Sequence, residues 1–137
     1  MNKQIARTLS IIKPDAVERN LESKIKEIFL KDNLNIIDSK KIKITKEEAE
    51  QFYKVHQSKP FYNDLCTYLS SGPIIVMILE GENVIIKNRE LMGATDPKNA
   101  SKGTIRNLYG ISIDKNSVHG SDSKENAKSE INFFFKG

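Results

Sequence analysis

The stretch GPIIVMILEG (residues 72–81) is the most apolar strand candidate in the chain. Gly72 and Pro73 form a turn signal at its start, and branched aliphatic side chains follow without a helical period. A short apolar run bounded in this way is typical of a buried strand. We therefore predict that it lies at the centre of a sheet, with the remaining elements arranged around it.

Three further strands are predicted from the sequence. RTLSIIK (7–13) indicates a buried strand that Pro14 ends, and LNIIDSKKIKI (34–44) alternates between apolar and polar residues toward its end. The third, SVHG (117–120), is short and strand-like. These strands alternate along the chain with segments of helical periodicity.

Helices are predicted where apolar residues recur at helical spacing or where capping signals occur. The predicted helices are one from Val17 to Phe29, one that begins with a capping box of Thr45 and Glu48, a short one opened by Pro60, one over 83–92, and a last one capped by Asp122. Without its insertions this order is βαββαβ followed by a terminal helix. It predicts an α+β, ferredoxin-like sandwich: a four-stranded antiparallel sheet, helices on one of its faces, and a C-terminal helix.

Length and composition limit the organisation of the chain. Its 137 residues, 38% hydrophobic and 29% charged, predict a single globular domain over 1–137. No run approaches the roughly 18 apolar residues of a membrane span. The N-terminus lacks a secretory apolar stretch, and the single Cys66 rules out an internal disulfide. We therefore expect a cytoplasmic protein, with Cys66 as a small apolar core residue.

The charge of the chain indicates an anionic partner. The formal net charge is +4, and 18 of the 22 basic residues are lysines. Nucleic acid, lipid head groups and small phosphates are all compatible with such a charge. The sequence contains neither phosphate-binding glycine motif, G-x-x-x-x-G-K-[ST] or G-x-G-x-x-G, and its strands lack the aromatic residues of RNA-binding sheets.

His119, in NSVHGSDS (116–123), is the first candidate functional residue. It follows a short strand and precedes a helix, where backbone N–H groups and the helix dipole favour an anion. A neutral imidazole there could act as a nucleophile toward a phosphate. A hydrogen-bonded structural histidine remains the alternative.

Glu130 is predicted to lie beside Phe134, at the border of the buried face of the last helix. A carboxylate in that position needs a partner. His119, with a hydroxyl from Ser121, could be that partner and would be oriented by it. A surface pair between Glu130 and a lysine is the other interpretation.

Three cations and an aromatic residue complete the candidate site. Arg89 and Arg106 lie among polar neighbours and could grip a phosphate, although each could equally be a solvated surface residue. Lys13 ends a buried strand and should face a site or a partner. Phe61 precedes another aromatic residue; one of the two could be exposed for base stacking, while core packing is the simpler explanation.

Six segments resemble the nucleoside diphosphate kinase family, and the resemblance runs from Arg7 to Phe135. They are RTLSIIKPDAV, KPFY, SGPIIVMILEGEN, LMGATDP, GTIRNLYG and NSVHGSDS. The last matches the active-site motif of the family. The resemblance implies transfer of the γ-phosphate of a nucleoside triphosphate, mainly ATP, to a nucleoside diphosphate. It implies ping-pong kinetics through a phosphohistidine and broad base specificity.

The resemblance also implies a role for each matching residue. His119 matches the nucleophile, which the family uses through Nδ1, and Tyr53, Ser121 and Glu130 match the residues around it. The other matches are to phosphate-contacting residues (Lys13, Arg89, Thr95, Arg106), to a residue that reaches the sugar hydroxyls together with Lys13 (Asn116), to the aromatic residue that stacks on the base (Phe61), and to apolar pocket residues (Leu65, Ile113).

Cofactor and assembly follow from the same resemblance. Mg²⁺ is expected on the nucleotide phosphates without a protein cage. The long loop over 93–116 is expected to line the nucleotide cleft and to meet neighbouring subunits. The chain ends at Gly137, without the C-terminal tail of longer relatives, which favours a bacterial-type enzyme and a homotetramer, with a hexamer as the alternative. No membrane or nucleic acid is required.

A second hypothesis from a different class uses the same scaffold without catalysis. A basic module for nucleic-acid binding or protein interaction would explain the net positive charge and the sandwich topology. It predicts salt-dependent nucleic-acid binding that does not depend on His119.

Overall fold

The computed structural model describes residues 5–112 and 115–135. In these residues one antiparallel sheet has the strand order β2-β3-β1-β4. Its strands are β1 (Ile5–Ile12), β2 (Asn35–Ile42), β3 (Ile74–Glu82) and β4 (Val118–Gly120). This is the predicted four-stranded, ferredoxin-like α+β fold. No helix in the described part of the chain is long and apolar enough to cross a membrane.

The predicted central strand is β3. It pairs with the full length of β1, from Ile5 opposite Glu82 to Ile12 opposite Ile75, and with β2 on its other edge. Residues 74–79 of β3 are buried, as the apolar run indicates. The prediction for 72–81 is therefore confirmed, with a start two residues later at Ile74.

Seven helices connect and cover the described strands. They are α1 (Pro14–Glu18), α2 (Glu22–Lys31), α3 (Lys46–Phe52), α4 (Tyr62–Leu69), α5 (Val84–Met92), α6 (Ile105–Tyr109) and α7 (Lys124–Phe134). The capping box of Thr45 and Glu48 is present at α3. The cap predicted at Asp122 is wrong by one residue: the Ser123 side chain accepts the N–H of Asn126, because Ser123 is the last extended residue before the helix.

Helices cover both faces of the sheet, so the prediction of a single covered face is wrong. Helices α1, α2 and α5 pack with Ile75, Met77 and Leu79 of β3 in one core. Helices α3, α4 and α7 pack with Ile74 and Val76 in a second core. Because side chains alternate along a strand, an unbroken apolar run such as β3 must be covered on both sides.

The predicted helix from Val17 to Phe29 is two helices. Helix α1 ends at Glu18 and α2 begins at Glu22, with Asn20 between them at φ 59°. An asparagine tolerates this left-handed conformation, which interrupts a helix although the apolar spacing continues through it. The predicted loop over 93–116 likewise contains a short 3₁₀ turn, Pro97–Asn99, and helix α6.

The sheet brings the ends of two strands together. In the pairing of β1 with β4, Ile11 lies opposite His119, and Lys13 follows β1 directly. Ile11 belongs to the core that contains α3 and α7. Directly opposed residues of antiparallel strands project to the same face, so His119 faces that side of the sheet.

Candidate active site

The imidazole of His119 is held by a carboxylate from α7. Its Nε2 lies 3.0 Å from Oε1 of Glu130, and the hydroxyl of Ser121 donates to the same oxygen at 2.8 Å. Both side chains of the pair are about four-fifths buried, with relative exposures of 20% and 19%. Because an ionised carboxylate only accepts, the proton of the neutral ring lies on Nε2. The lone pair of Nδ1 is therefore available to an incoming group.

Two aromatic rings of the α3 end pack against the histidine ring. Phe52 contacts it edge-on with ring centroids 5.3 Å apart, and Tyr53 lies 6.2 Å away at 84°. The Tyr53 hydroxyl is buried and has no hydrogen-bond partner among the residues that the structure describes. Burial, and then the negative charge of Glu130, raise the pKa of this phenol, so it stays protonated as a donor.

Lys13 and Asn116 form a linked pair near the end of β1. The buried ammonium of Lys13 donates to Oδ1 of Asn116 at 2.9 Å. The amide of Asn116 donates in turn to the carbonyl of Thr95 at 3.1 Å. Lys13, Asn116 and Thr95 are far apart in the sequence and are thus joined in one chain of hydrogen bonds. Thr95, which carries a hydroxyl group, is exposed.

Arg106 cross-links the long loop to the histidine strand. Its guanidinium donates to the carbonyl of Gly93 at 3.0 Å and to that of Val118 at 2.9 Å. Burial, and then the positive charge of Arg89, lower the pKa of Arg106 to about 10. Arg106 therefore remains charged at neutral pH, and an anion between the two arginines would relieve their repulsion.

Phe61 is exposed, with 44% of its surface accessible, and connects to the histidine through other rings. The ring centroid of His56 lies 6.0 Å from that of Phe61 and 6.2 Å from that of Tyr53, and the Tyr53 ring contacts His119. Leu65 packs partly buried against the same core. The remaining predicted site residue, Ile113, lies outside the described residues.

A polar cluster next to Lys13 and Asn116 was not predicted from the sequence. Asp15, Arg19 and Ser117 are joined by hydrogen bonds, and Arg19 also donates to the carbonyl of Tyr109 at 2.6 Å. A carboxylate two residues after the predicted strand over 7–13 and a serine inside the histidine motif were the available signals. Neither indicates its partner, because the contact spans about one hundred residues.

Three cations belong to the candidate site, and Arg106 among them donates to the carbonyl of Val118, the neighbour of His119. Arg106 and Lys13 are buried and Arg89 is exposed on α5. Within 5–112 and 115–135, no group of three or more His, Cys, Asp or Glu side chains could hold a metal ion. The site is suited to the oxygens of a phosphate chain, since guanidinium and ammonium groups bind these directly.

Comparison with known proteins agrees with this geometry. The family model described as nucleoside diphosphate kinase matches residues 6–137. A nucleoside diphosphate kinase of Campylobacter hominis is 60% identical over 131 residues, which cover 96% of each chain. One of Campylobacter curvus is 59% identical, with 94% of each chain covered.

Solved structures show the same similarity. A crystal structure of the Aquifex aeolicus nucleoside diphosphate kinase superposes with a TM-score of 0.96 at 40% identity, covering 98% of this chain and 97% of the other. One from Encephalitozoon cuniculi gives a TM-score of 0.93 at 38% identity, covering 96% and 89%. None of these comparisons supports the alternative of a non-catalytic nucleic-acid-binding module.

Proposed function

This chain belongs to the nucleoside diphosphate kinase family and is a phosphotransferase, and we propose that His119 carries the phosphoryl group between its substrates. The γ-phosphate of a nucleoside triphosphate, mainly ATP, passes to His119 and then to a nucleoside diphosphate. The observation that carries the proposal is the 3.0 Å contact between His119 Nε2 and Glu130 Oε1, because it leaves Nδ1 free to attack.

In the first step the lone pair of Nδ1 attacks the γ-phosphorus. A P–N bond forms, the bond from phosphorus to the bridging oxygen breaks, and the electron pair leaves on the diphosphate. The ring becomes cationic while Nε2 keeps its proton. Glu130, held in place by Ser121 at 2.8 Å, stabilises that positive charge. The second step is the reverse, with the terminal oxygen of the acceptor diphosphate as nucleophile.

The positive side chains have a separate task, which is to bind the phosphate chain. Arg106 and Arg89 neutralise the negative charge that spreads over the transferred group, and Lys13 and the Thr95 hydroxyl position the other phosphates. The lowered pKa of Arg106, caused by burial and by Arg89, supports this role, since a bound anion removes part of that penalty. The protonated Tyr53 hydroxyl can donate toward the same phosphoryl oxygens.

The sugar and the base are held by few contacts. Asn116, together with Lys13, donates to and accepts from the sugar hydroxyls. The exposed ring of Phe61 stacks on the base, and Leu65 and Ile113 provide apolar contacts on its other side. Stacking does not depend on the identity of the base, so we propose that purine and pyrimidine nucleotides are both substrates.

Kinases of this family act on nucleotides and generally need a divalent metal. We propose that the metal is Mg²⁺ and that it enters on the nucleotide phosphates, because its preferred ligands are phosphate oxygens and water. Bound there, it supplies neutralisation of phosphate charge. Arg89, Arg106 and Lys13 cannot ligate a metal, so they would bind the phosphate oxygens that the metal leaves free.

The exposed apolar surface and the single cysteine bear on assembly and location. Exposed apolar side chains at Leu30 and Ile37, near the edge strand β2, and at Leu108 and Ile111 support contact with further copies of the chain. We propose a homotetramer, and a hexamer is the outcome that sedimentation would distinguish from it. The single free cysteine supports a cytoplasmic location.

The proposal is tested by a pulse of ATP labelled in the γ-position, followed by a chase with an unlabelled nucleoside diphosphate. We expect label to enter the protein in an acid-labile form and then to leave on the diphosphate. If transfer occurs only when both nucleotides are present together, with no labelled protein at any time, the phosphohistidine mechanism is wrong.

Glu130→Gln tests the partner of the histidine. The amide keeps the shape of the side chain but loses the negative charge that stabilises the phosphorylated ring. We expect turnover to fall by about 10- to 100-fold, the range for one hydrogen bond to a charged group, while the KM for nucleotide changes little.

Glu125→Gln is the matched control, since Glu125 is an exposed carboxylate in the first turn of the same helix. It should retain normal turnover. Equal rates for the two variants would show that the Glu130 charge has no part in the reaction. A rise in KM without a fall in turnover would instead assign Glu130 to nucleotide binding.

A further inference from the structure

Ser117 occupies a strained turn between Asn116 and the strand that carries His119. Its φ is 75°, and the N–H of Val118 donates to the carbonyl of Asn116 at 2.9 Å, which closes a three-residue γ-turn. A residue with a β-carbon is unfavourable in this conformation, and such turns persist only where their surroundings hold them. Ser117 is fully buried, so the groups that stabilise this turn belong to the protein and not to the solvent.

The group that holds the turn is the carboxylate of Asp15. The Ser117 hydroxyl donates to its Oδ2 at 2.9 Å, and the guanidinium of Arg19 donates to the same oxygen at 3.1 Å. The hydroxyl of Tyr68 donates to Oδ1, and the N–H of Asp15 donates to that hydroxyl at 2.8 Å. With donors from Arg19 after α1, from Tyr68 of α4 and from the turn, this carboxylate is 6% exposed and nevertheless hydrogen-bonded at both oxygens.

The turn connects directly to the nucleotide-binding residues. The N–H of Lys13 donates to the carbonyl of Ser117 at 2.8 Å, and its ammonium reaches Asn116 at 2.9 Å. Any rotation of the Ser117 peptide units would therefore move the Asn116 side chain and release the backbone of Lys13. Asp15 itself lies two residues beyond Lys13 and makes neither contact.

We propose that Asp15 is a positioning residue for phosphoryl transfer. Through the Ser117 hydroxyl it holds the strained turn closed, so that Asn116 and Lys13 present their donors to the sugar hydroxyls of the nucleotide. The inference rests on the proposed function of that pair. It adds a residue that acts on the nucleotide through another side chain and not by contact.

A purely structural role of Asp15 would affect stability but not the discrimination between nucleotides. Asp15 also ties α1 to α4 through Tyr68, and loss of that tie lowers stability without distinguishing one nucleotide from another. Positioning of Asn116 instead affects only substrates that carry the hydroxyl it binds. The comparison of a 2′-deoxynucleoside triphosphate with its 2′,3′-dideoxy analogue therefore separates the two roles.

The test measures kcat/KM for both triphosphates in Asp15→Asn, Ser117→Ala and the double variant. We expect each single variant to lose at least about tenfold more kcat/KM with the 2′-deoxy substrate than with the dideoxy one, since a displaced Lys13 also weakens binding of the phosphates that both substrates carry. Because both variants break the same hydrogen bond, the double variant should be no worse than the poorer single one. Ser117→Ala leaves the contacts of Asp15 with Tyr68 and Arg19 intact, so it tests the proposal even if Asp15→Asn does not fold.

Glu80→Gln is the control, since Glu80 is a carboxylate paired with Arg7 at 2.8 Å at the far end of β1. Three results would overturn the inference: equal losses on both substrates, multiplicative effects in the double variant, or a wild-type enzyme that uses both substrates equally well. Failure of the proposed function is recognised separately, because the wild-type protein would then form no labelled phosphoprotein.

Discussion

His119→Ala is expected to lower turnover by at least about 10⁴-fold and to abolish the labelled phosphoprotein. The variant removes Nδ1, the ring nitrogen that the contact of Nε2 with Glu130 leaves available and that we propose as the nucleophile. The fold should persist, because Glu130 keeps its hydrogen bond from Ser121 and is itself partly accessible to water. Steady-state rates, phosphoprotein labelling and urea unfolding measure the three expectations.

His56→Ala is the matched comparison, since it removes the only other histidine of the chain. His56 packs on Phe61 and Tyr53, and its buried Nδ1 has no hydrogen-bond partner among the described residues. It should still become labelled, even where its nucleotide affinity is reduced. Label that persists in His119→Ala, or that disappears in His56→Ala, would place the phosphoryl group on a different residue.

The sheet was predictable because its strands are locally recognisable. The apolar run of β3 has one physical explanation, burial, and the position of Pro14 limits β1. What the local pattern does not contain is the side from which each strand is covered. That depends on where α3, α4 and α7 return across the sheet, and their apolar faces are compatible with either side.

The break between α1 and α2 shows a second limit. The apolar spacing from Val17 to Phe29 continues through the break, so periodicity alone predicts one helix. The interruption depends on a single backbone conformation at Asn20, φ 59°, which asparagine permits but does not require. This conformation depends on how both helices pack on the sheet, so the local sequence does not predict it.

The contacts of the candidate site also differ in whether the sequence predicts them. His119, Glu130 and Ser121 lie within a dozen residues, and helical geometry brings their side chains close enough to suggest the observed contacts. Asp15 and Ser117 are 102 residues apart and meet only after β1 and β4 have paired. A positioning residue such as Glu130 can be predicted when it is close in sequence to the residue that it holds, whereas Asp15 is recognised only from the folded structure.

Arg106 carries a positive charge for phosphate binding and also links two backbone segments by hydrogen bonds. Substitutions can separate these two functions. Its two donors connect Gly93 of the long loop to Val118, the neighbour of His119. Arg106→Ala removes both functions, and we expect kcat/KM to fall by about 10³-fold. Arg106→Lys restores the charge, but a single ammonium cannot span the two carbonyl groups as the planar fork does. It should therefore recover part of the activity only.

Thermal unfolding with and without ADP distinguishes the two functions of Arg106. Without nucleotide, both variants should lose the connection between the loop and β4 and have a lower Tm than the wild type. ADP and Mg²⁺ should raise the Tm of the lysine variant by much of the amount by which they raise that of the wild type, because the lysine charge still binds phosphate. The Tm of the alanine variant should rise little. Arg7→Ala is the control, since Arg7 is exposed and pairs with Glu80 away from the site. If Arg106→Ala gained as much Tm from ADP as Arg7→Ala does, Arg106 would be a connector of the fold and not a ligand of the phosphate chain.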